Sequence, residues 1–260
     1  MSRRVRMVVL VIGVLGVAAV LASAVAGLPA FGSHRHPYRD LAVAASFQRA
    51  TANVVSSINF DQRALDTFGE ETILVASVAG VAALLRPIPT ERRRRVGPGP
   101  TVLDSTRLLT AIFFPVTLLV GIDVVAHGAV TPGGGFQGGV VLATGIHLLY
   151  VGGRYRLLER MRPVPIFEVT EGAGLVLFIA IGVAGLAISG DLFHNVIPYG
   201  QMSQLVSSGT VVLLSCAVGM AVVSSVVVLL AGFLDQALAL VEVPQGDHPD
   251  AGQQDEEVAR

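Results

Sequence analysis

Tryptophan and lysine are absent, cysteine occurs once, and only 14% of the 260 residues are charged. Soluble domains run near a quarter charged, so the shortage of charge places the chain in the membrane class. The single Cys216 excludes a disulfide framework and a thiol metal site. Lying in an apolar run, it reads as a buried structural thiol. A net charge of −1 offers no general attraction for nucleic acid. All 18 basic residues are arginine, which reflects codon usage and also suits contact with lipid phosphate. No Ser/His/Asp elbow, Cys/His metal spacing or cofactor motif occurs, so nothing points to an enzyme, a metal or a cofactor.

What is present is a series of long apolar runs, and a bilayer core takes about 20 such residues per spanning helix. Met7–Phe31 holds no charge and follows Arg3, Arg4 and Arg6. That arrangement also fits a cleaved signal peptide, but the run exceeds a signal core of roughly 7–15 residues, which favours a retained helix. His34–Thr67 is polar. Thr72–Leu85 is too short to span alone, so its helix must extend back through Glu70 and Glu71; Pro87 and Pro89 stop its other end. Further spans are expected at Leu108–His127, Val140–Gly153, Val169–Ser189 and Leu205–Leu234.

The fold class is therefore an all-α integral membrane protein with about six transmembrane helices. Residues 1–90 form a two-helix segment, 91–104 an Arg/Pro/Gly-rich linker containing Arg92–Arg95, 105–235 a four-helix domain and 236–260 an acidic disordered tail. The start, the 86–107 linker and the 154–162 loop carry 3, 6 and 4 arginines, whereas the alternate loops carry Arg35, Arg39, Arg49 and Arg63 in the first and none in 128–137 and 190–204. This bias puts both termini on the cytoplasmic side.

An ionisable group inside a spanning helix is costly and marks a functional candidate. Glu70 and Glu71 are forced to the membrane boundary by helix length; the competing reading makes them helix-start acids favoured by the dipole. Asp123 and His127 share a face at i, i+4 spacing, and with His147 they could pass protons. Contact with headgroups or water, and a neighbouring carbonyl for His147, is the alternative. Glu171, with Glu168, opens the fifth span and invites the dipole reading as well. Pro132-Gly133-Gly134-Gly135-Phe136-Gln137-Gly138-Gly139 lacks the lysine and Ser/Thr of a phosphate loop. Gly134/Gly138 and Gly135/Gly139 have the spacing for close helix contact.

The string His127-Gly-Ala-Val-Thr-Pro-Gly-Gly-Gly-Phe-Gln-Gly-Gly-Val-Val-Leu-Ala143 resembles the B subunit family of Mrp-type multisubunit sodium/proton antiporters. The likeness continues through Glu171-Gly-Ala-Gly174, Asn195-Val-Ile-Pro-Tyr-Gly200 and Ser207-Ser-Gly-Thr210. Upstream, Asn53-Val-Val and Asp61-Gln-Arg-Ala-Leu-Asp-Thr-Phe-Gly-Glu70 resemble the C-terminal end of the large A subunit, which is a small separate subunit in membrane-bound hydrogenase complexes. The resemblance implies a fusion of the two units and raises Glu70 above Glu71 as an ion-path candidate.

It further implies a non-enzymatic subunit of the cell membrane. Its partners would be large antiporter-like and small membrane subunits and the lipid bilayer, with Na⁺ and H⁺ as the transported ions. Membrane subunits of hydrogenase or complex I-like pumps, and a purely structural scaffold, are the alternatives. The chain departs from the family pattern at Ala129, where a histidine is expected, and at Ser215 and Ala221, which leave the last span without a carboxylate.

Overall fold

The structure, a computed structural model, describes residues 3–28, 32, 34, 36–85 and 102–239. The Arg92–Arg95 linker and the tail beyond Ala239 lie outside the described residues. The chain divides into two compact units, residues 1–41 and 42–260, rather than at the linker.

In the first unit α1 (Arg3–Ala26) is apolar on every side and buries none of its residues. The second unit begins within α2 (Pro37–Gln48) and continues through α3 (Val54–Ser57) and a π turn (Ile58–Gln62). Then come α4 (Ala64–Leu84), α5 (Asp104–Ala126), α6 (Gly135–Val151), α7 (Tyr155–Met161), α8 (Val164–Ser189) and α9 (Thr210–Ala239).

Among the described residues, five helical stretches are long and apolar enough to cross a membrane: Arg3–Ala26, Ala64–Leu84, Asp104–Ala126, Tyr155–Ser189 and Thr210–Leu234. The sixth expected span is α6, which at 17 residues is a shorter apolar helix. It reaches roughly 25 Å, somewhat less than a hydrocarbon core of about 30 Å. The protein is an all-α integral membrane protein.

Helix α9 forms the centre. About two-thirds of its apolar window is buried, against about a tenth for α5. Helices α4, α6 and α8 each pack on α9, and α5 packs on α6. The expected two-helix segment thus does not stand apart: its second helix, α4, is part of the bundle.

Glycine sets the spacing of the other helices. A Cβ at Gly139 would fall 2.8 Å from Val222 Cβ and 3.0 Å from Gly219 O, and one at Gly135 would collide with the α9 backbone at Ser215 and Gly219. Gly138 faces the other way, onto Gly121 O and Val125 N of α5, both 2.8 Å from an added Cβ. Gly174 of α8 fits against Ala217 O and Ala221 N of α9 in the same manner. Close backbone approach of this kind replaces the hydrophobic drive that lipid cannot supply between helices. Helix α6 is entered through Gly133 and Gly134 at φ of +149° and +134°, a region closed to residues with a Cβ. Of the two expected glycine pairs, Gly135/Gly139 is a contact stripe, whereas Gly134 is the helix cap and Gly138 serves α5.

Four phenylalanines fill the space between α4, α8 and the π turn. Phe178 lies 6.5, 6.2 and 5.2 Å from the ring centres of Phe60, Phe68 and Phe193. The segment after α8 is folded back over it, with Phe193 N donating to Gly182 O at 3.2 Å. Asn195 then fixes the start of α9: its amide donates to Ser208 O and its oxygen accepts from Thr210 N, each at 2.9 Å. Ser208 and Gly209 adopt positive φ in that turn, so α9 begins at Thr210 rather than near Leu205.

Candidate functional site

Helix α4 starts at Ala64, which makes Glu70 and Glu71 its seventh and eighth residues. They lie about 10 Å from the helix start, beyond the first turn in which the dipole acts. The helix-start reading of these two acids therefore fails. Their side chains diverge, because consecutive helical residues are about 100° apart. Ala64, Thr67, Glu71 and Val78 form the buried face of α4, whereas Glu70 is exposed.

Glu71 is 1% exposed, and neither carboxylate oxygen has a hydrogen-bond partner among the described residues. A bare buried carboxylate costs several kcal/mol. It is tolerated when protonated or beside a cation, the two states between which an ion-translocating group alternates.

A second buried carboxylate lies on α8. Glu171 is the eighth residue of that helix, not its first turn, because α8 begins at Val164. With Gly174, Phe178, Gly182 and Gly185 it forms the buried stripe of α8. Ser225 Oγ of α9 donates to Glu171 Oε1. The neighbouring Ser224 is buried and its hydroxyl has no partner among the described residues. Glu168, one turn earlier, is exposed.

The remaining expected candidates are not gathered with these. Asp123 and His127 do pair, Oδ1 to Nδ1 at 2.8 Å, but at the exposed end of α5. His147 is part-buried on α6, its Nε2 without a partner among the described residues. The register of α5 against α6 decides the matter. Gly138 lies beside Gly121 and Val125, and Gly145 beside Leu118. Asp123 is therefore level with Gly138, about nine residues or roughly 13 Å along α6 from His147. Asp123, His127 and His147 form no continuous relay. Pro132 and Phe136 are exposed at the mouth of the glycine string.

The positions in α9 that lack a carboxylate hold helices together instead. Ala221 is 1% exposed in the α8–α9 contact, and Ser215 Oγ donates to Val125 O at 3.1 Å. Ala129 is likewise buried, and its carbonyl accepts from Asn53 N at 3.1 Å. The Asn53 amide also bonds the carbonyls of Gly128 and Thr131 at 2.8 and 2.9 Å, tying the approach to α4 to the turn before α6.

Sequence reasoning missed one cluster. The Asp61 side chain in the π turn is 4% exposed and pairs with Arg49 Nε at 3.3 Å. Burial pushes its carboxyl above the usual carboxylate range, opposed by the charges of Arg49 and His194 and by the Asn195 amide. Asp61 stood within the family-like string and Arg49 lies 12 residues before it, but His194 and Asn195 lie more than 130 residues downstream, which no spacing could reveal.

Residues 105–228 match the family model described as a domain related to the MnhB subunit of Na⁺/H⁺ antiporter. The chain carries an MnhB-related domain. An uncharacterized protein of Methanocaldococcus jannaschii is 27% identical over 194 residues, which cover 66% of this chain and 73% of that protein.

Among solved structures, a subunit of the membrane-bound sulfane sulfur reductase, an archaeal respiratory membrane complex, superposes with a TM-score of 0.64. It is 29% identical over 90% of this chain and 98% of its own. A chain of the Mrp complex from Dietzia sp. DQ12-45-1b gives a TM-score of 0.63 at 23% identity over 89% of this chain, so it shares the fold. This chain spans only 26% of that one. Together the matches make the protein a multi-pass membrane protein that carries an MnhB-related domain and shares the fold of membrane-complex subunits. Within the MnhB-related domain lie the glycine seam, Glu171 and Ser225; Glu71 lies before it.

Proposed function

We propose that the protein is a non-enzymatic subunit of a multisubunit monovalent cation/proton antiporter of the cell membrane, in which Na⁺ and H⁺ are exchanged. The single observation that supports this most is Glu71, a carboxylate buried two turns into a spanning helix with neither oxygen hydrogen-bonded by a described residue. The MnhB-related domain supplies the scaffold, and α4 contributes its two carboxylates to the ion path. Glu70, outward-facing, and Glu171 are the further ion-path candidates of this reading. Both termini are cytoplasmic in it, and the segment carrying α4 corresponds to the end of the large A subunit.

The experiment is sodium-dependent proton movement in everted vesicles carrying the whole complex. Glu71→Gln is expected to lower exchange at least tenfold with the complex still assembled, and Glu70→Gln to lower it less. Unchanged exchange in both variants removes the α4 carboxylates from the mechanism.

A second reading is a membrane subunit of an ion-pumping respiratory complex. It is favoured by the match over 98% of the sulfane sulfur reductase subunit. Redox-active partner subunits in the isolated complex would select it.

A further inference from the structure

The outer faces of the spanning helices differ in kind. On α5 the exposed side chains are large and apolar, among them Leu108, Ile112, Phe113, Val116, Leu119 and Ile122. That is the composition lipid tails accept. On α4 the exposed stripe at alternating four- and three-residue steps is Asp66, Glu70, Ile73, Ser77, Gly80 and Leu84. Alongside it Ala76, Ala79 and Ala83 are exposed too. A Cβ added at Gly69 or Gly80 would meet nothing within 4 Å.

The polar members of this face are not equivalent. Asp66 pairs with Arg63. The Ser77 and Thr72 hydroxyls donate to their own helix at Ile73 O and Phe68 O, 2.7 and 2.8 Å. Glu70 alone makes no hydrogen bond or ion pair with a described residue. A 21-residue helix is about as long as the hydrocarbon core is thick, so in a span made of α4 the seventh residue comes about 9 Å from the helix start, at or inside the membrane boundary. An unpaired carboxylate facing lipid there is unfavourable; facing another protein chain that supplies positive charge, it is not.

We propose that the outer face of α4 docks a transmembrane helix of a different subunit, one bearing a Lys, Arg or His at the depth of Glu70. Small residues at Ala76, Ala79, Gly80 and Ala83 let the two backbones approach, as small-residue helix interfaces do. A second copy of this chain does not fit. Two α4 faces related by symmetry set Glu70 against Glu70, a like-charge pair with no cation between them. The proposal rests on the reading of the protein as one subunit of a larger assembly, and it adds which surface meets a neighbour and the charge that neighbour carries.

Photocrosslinking in the complex isolated from its native membrane tests it. A benzophenone is attached to Ala76→Cys or Ala83→Cys, with Ile112→Cys and Leu119→Cys as α5 controls, all in a Cys216→Ser background. The α4 positions are expected to join one spanning polypeptide of a different mass, and the α5 positions to give no such product. Glu70→Lys should reduce co-purification of that polypeptide at least tenfold, while Glu70→Gln retains most of it. Adducts to lipid alone, or a product of twice this chain's mass, overturn the proposal. Its failure is separable from that of the exchange reading. Adducts with exchange intact in both amide variants sink the exchange reading; exchange lost in Glu71→Gln with no adduct sinks this one.

Discussion

The seam where α6 and α8 meet α9 and the flank around α4 are built on opposite terms. Along the seam glycines bring backbones into contact, and the one carboxylate, Glu171, is held by a serine hydroxyl. On the flank a π turn leads into a helix whose buried acid has no hydrogen-bond partner among the described residues, beside a buried Asp61 paired with a partly exposed Arg49. π-type irregularities recur at functional sites, and unsatisfied buried groups are tolerated where a protein uses them. On the proposed reading the seam serves architecture and the flank serves chemistry. Size changes should therefore harm the first, and charge changes the second.

The largest effect is expected at the seam. Gly135→Leu drives a side chain into the Ser215 carbonyl and the Gly219 amide, backbone atoms that cannot step aside. No assembled complex should be recovered on detergent extraction. Recovery at wild-type yield would break the contrast at its firmer end.

On the flank, Arg49→Ala strips Asp61 of its nearest cation. Truncating one partner of a fully buried pair costs about 3 kcal/mol, and with Arg49 partly screened by solvent the loss should be about 1–2 kcal/mol. The pH dependence has a definite sign. Burial already raises the Asp61 carboxyl above its ordinary value, and loss of Arg49 raises it further. The folded state then binds a proton more tightly than the unfolded state does. The deficit is full above the folded pKa and shrinks as pH falls through it. Thermal unfolding in detergent at neutral and acidic pH should show the variant recovering towards wild type in acid. A deficit independent of pH would mean that Arg49 acts by packing alone.

The smallest effect sharpens the comparison. Gly172 lies in α8 beside Glu171 but has nothing within 4 Å of an added Cβ. Gly172→Ala should stabilise the helix by about 0.5–1 kcal/mol, read as a slight rise in Tm. Destabilisation there would show that glycines off the seam are also constrained.

How much of this could be read from the chain alone follows from the range of each cause. The apolar runs were legible because a bilayer dictates length and composition locally. Helix ends were less so: α8 begins five residues before the expected Val169, and α9 five after Leu205, because a turn held by Asn195 decides its start. The glycine spacing was legible, but not that Gly135 and Gly139 face α9 while Gly138 faces α5. Whether Glu70 or Glu71 points inward depends on the rotational phase of α4 against α8 and α9, set by contacts such as Phe68 on Phe178. The family-like string favoured Glu70. The geometry buries Glu71 and leaves Glu70 exposed, so both belong in the test. The Asp123–His127–His147 relay failed for want of register, which no single helix contains.

Mild-detergent extraction from the native membrane, followed by identification of the co-migrating polypeptides, bears most directly on the central reading. A stable assembly containing large antiporter-like chains, without redox-active subunits, is the predicted result. A chain that migrates alone, and still exchanges cation for proton once reconstituted, would contradict it.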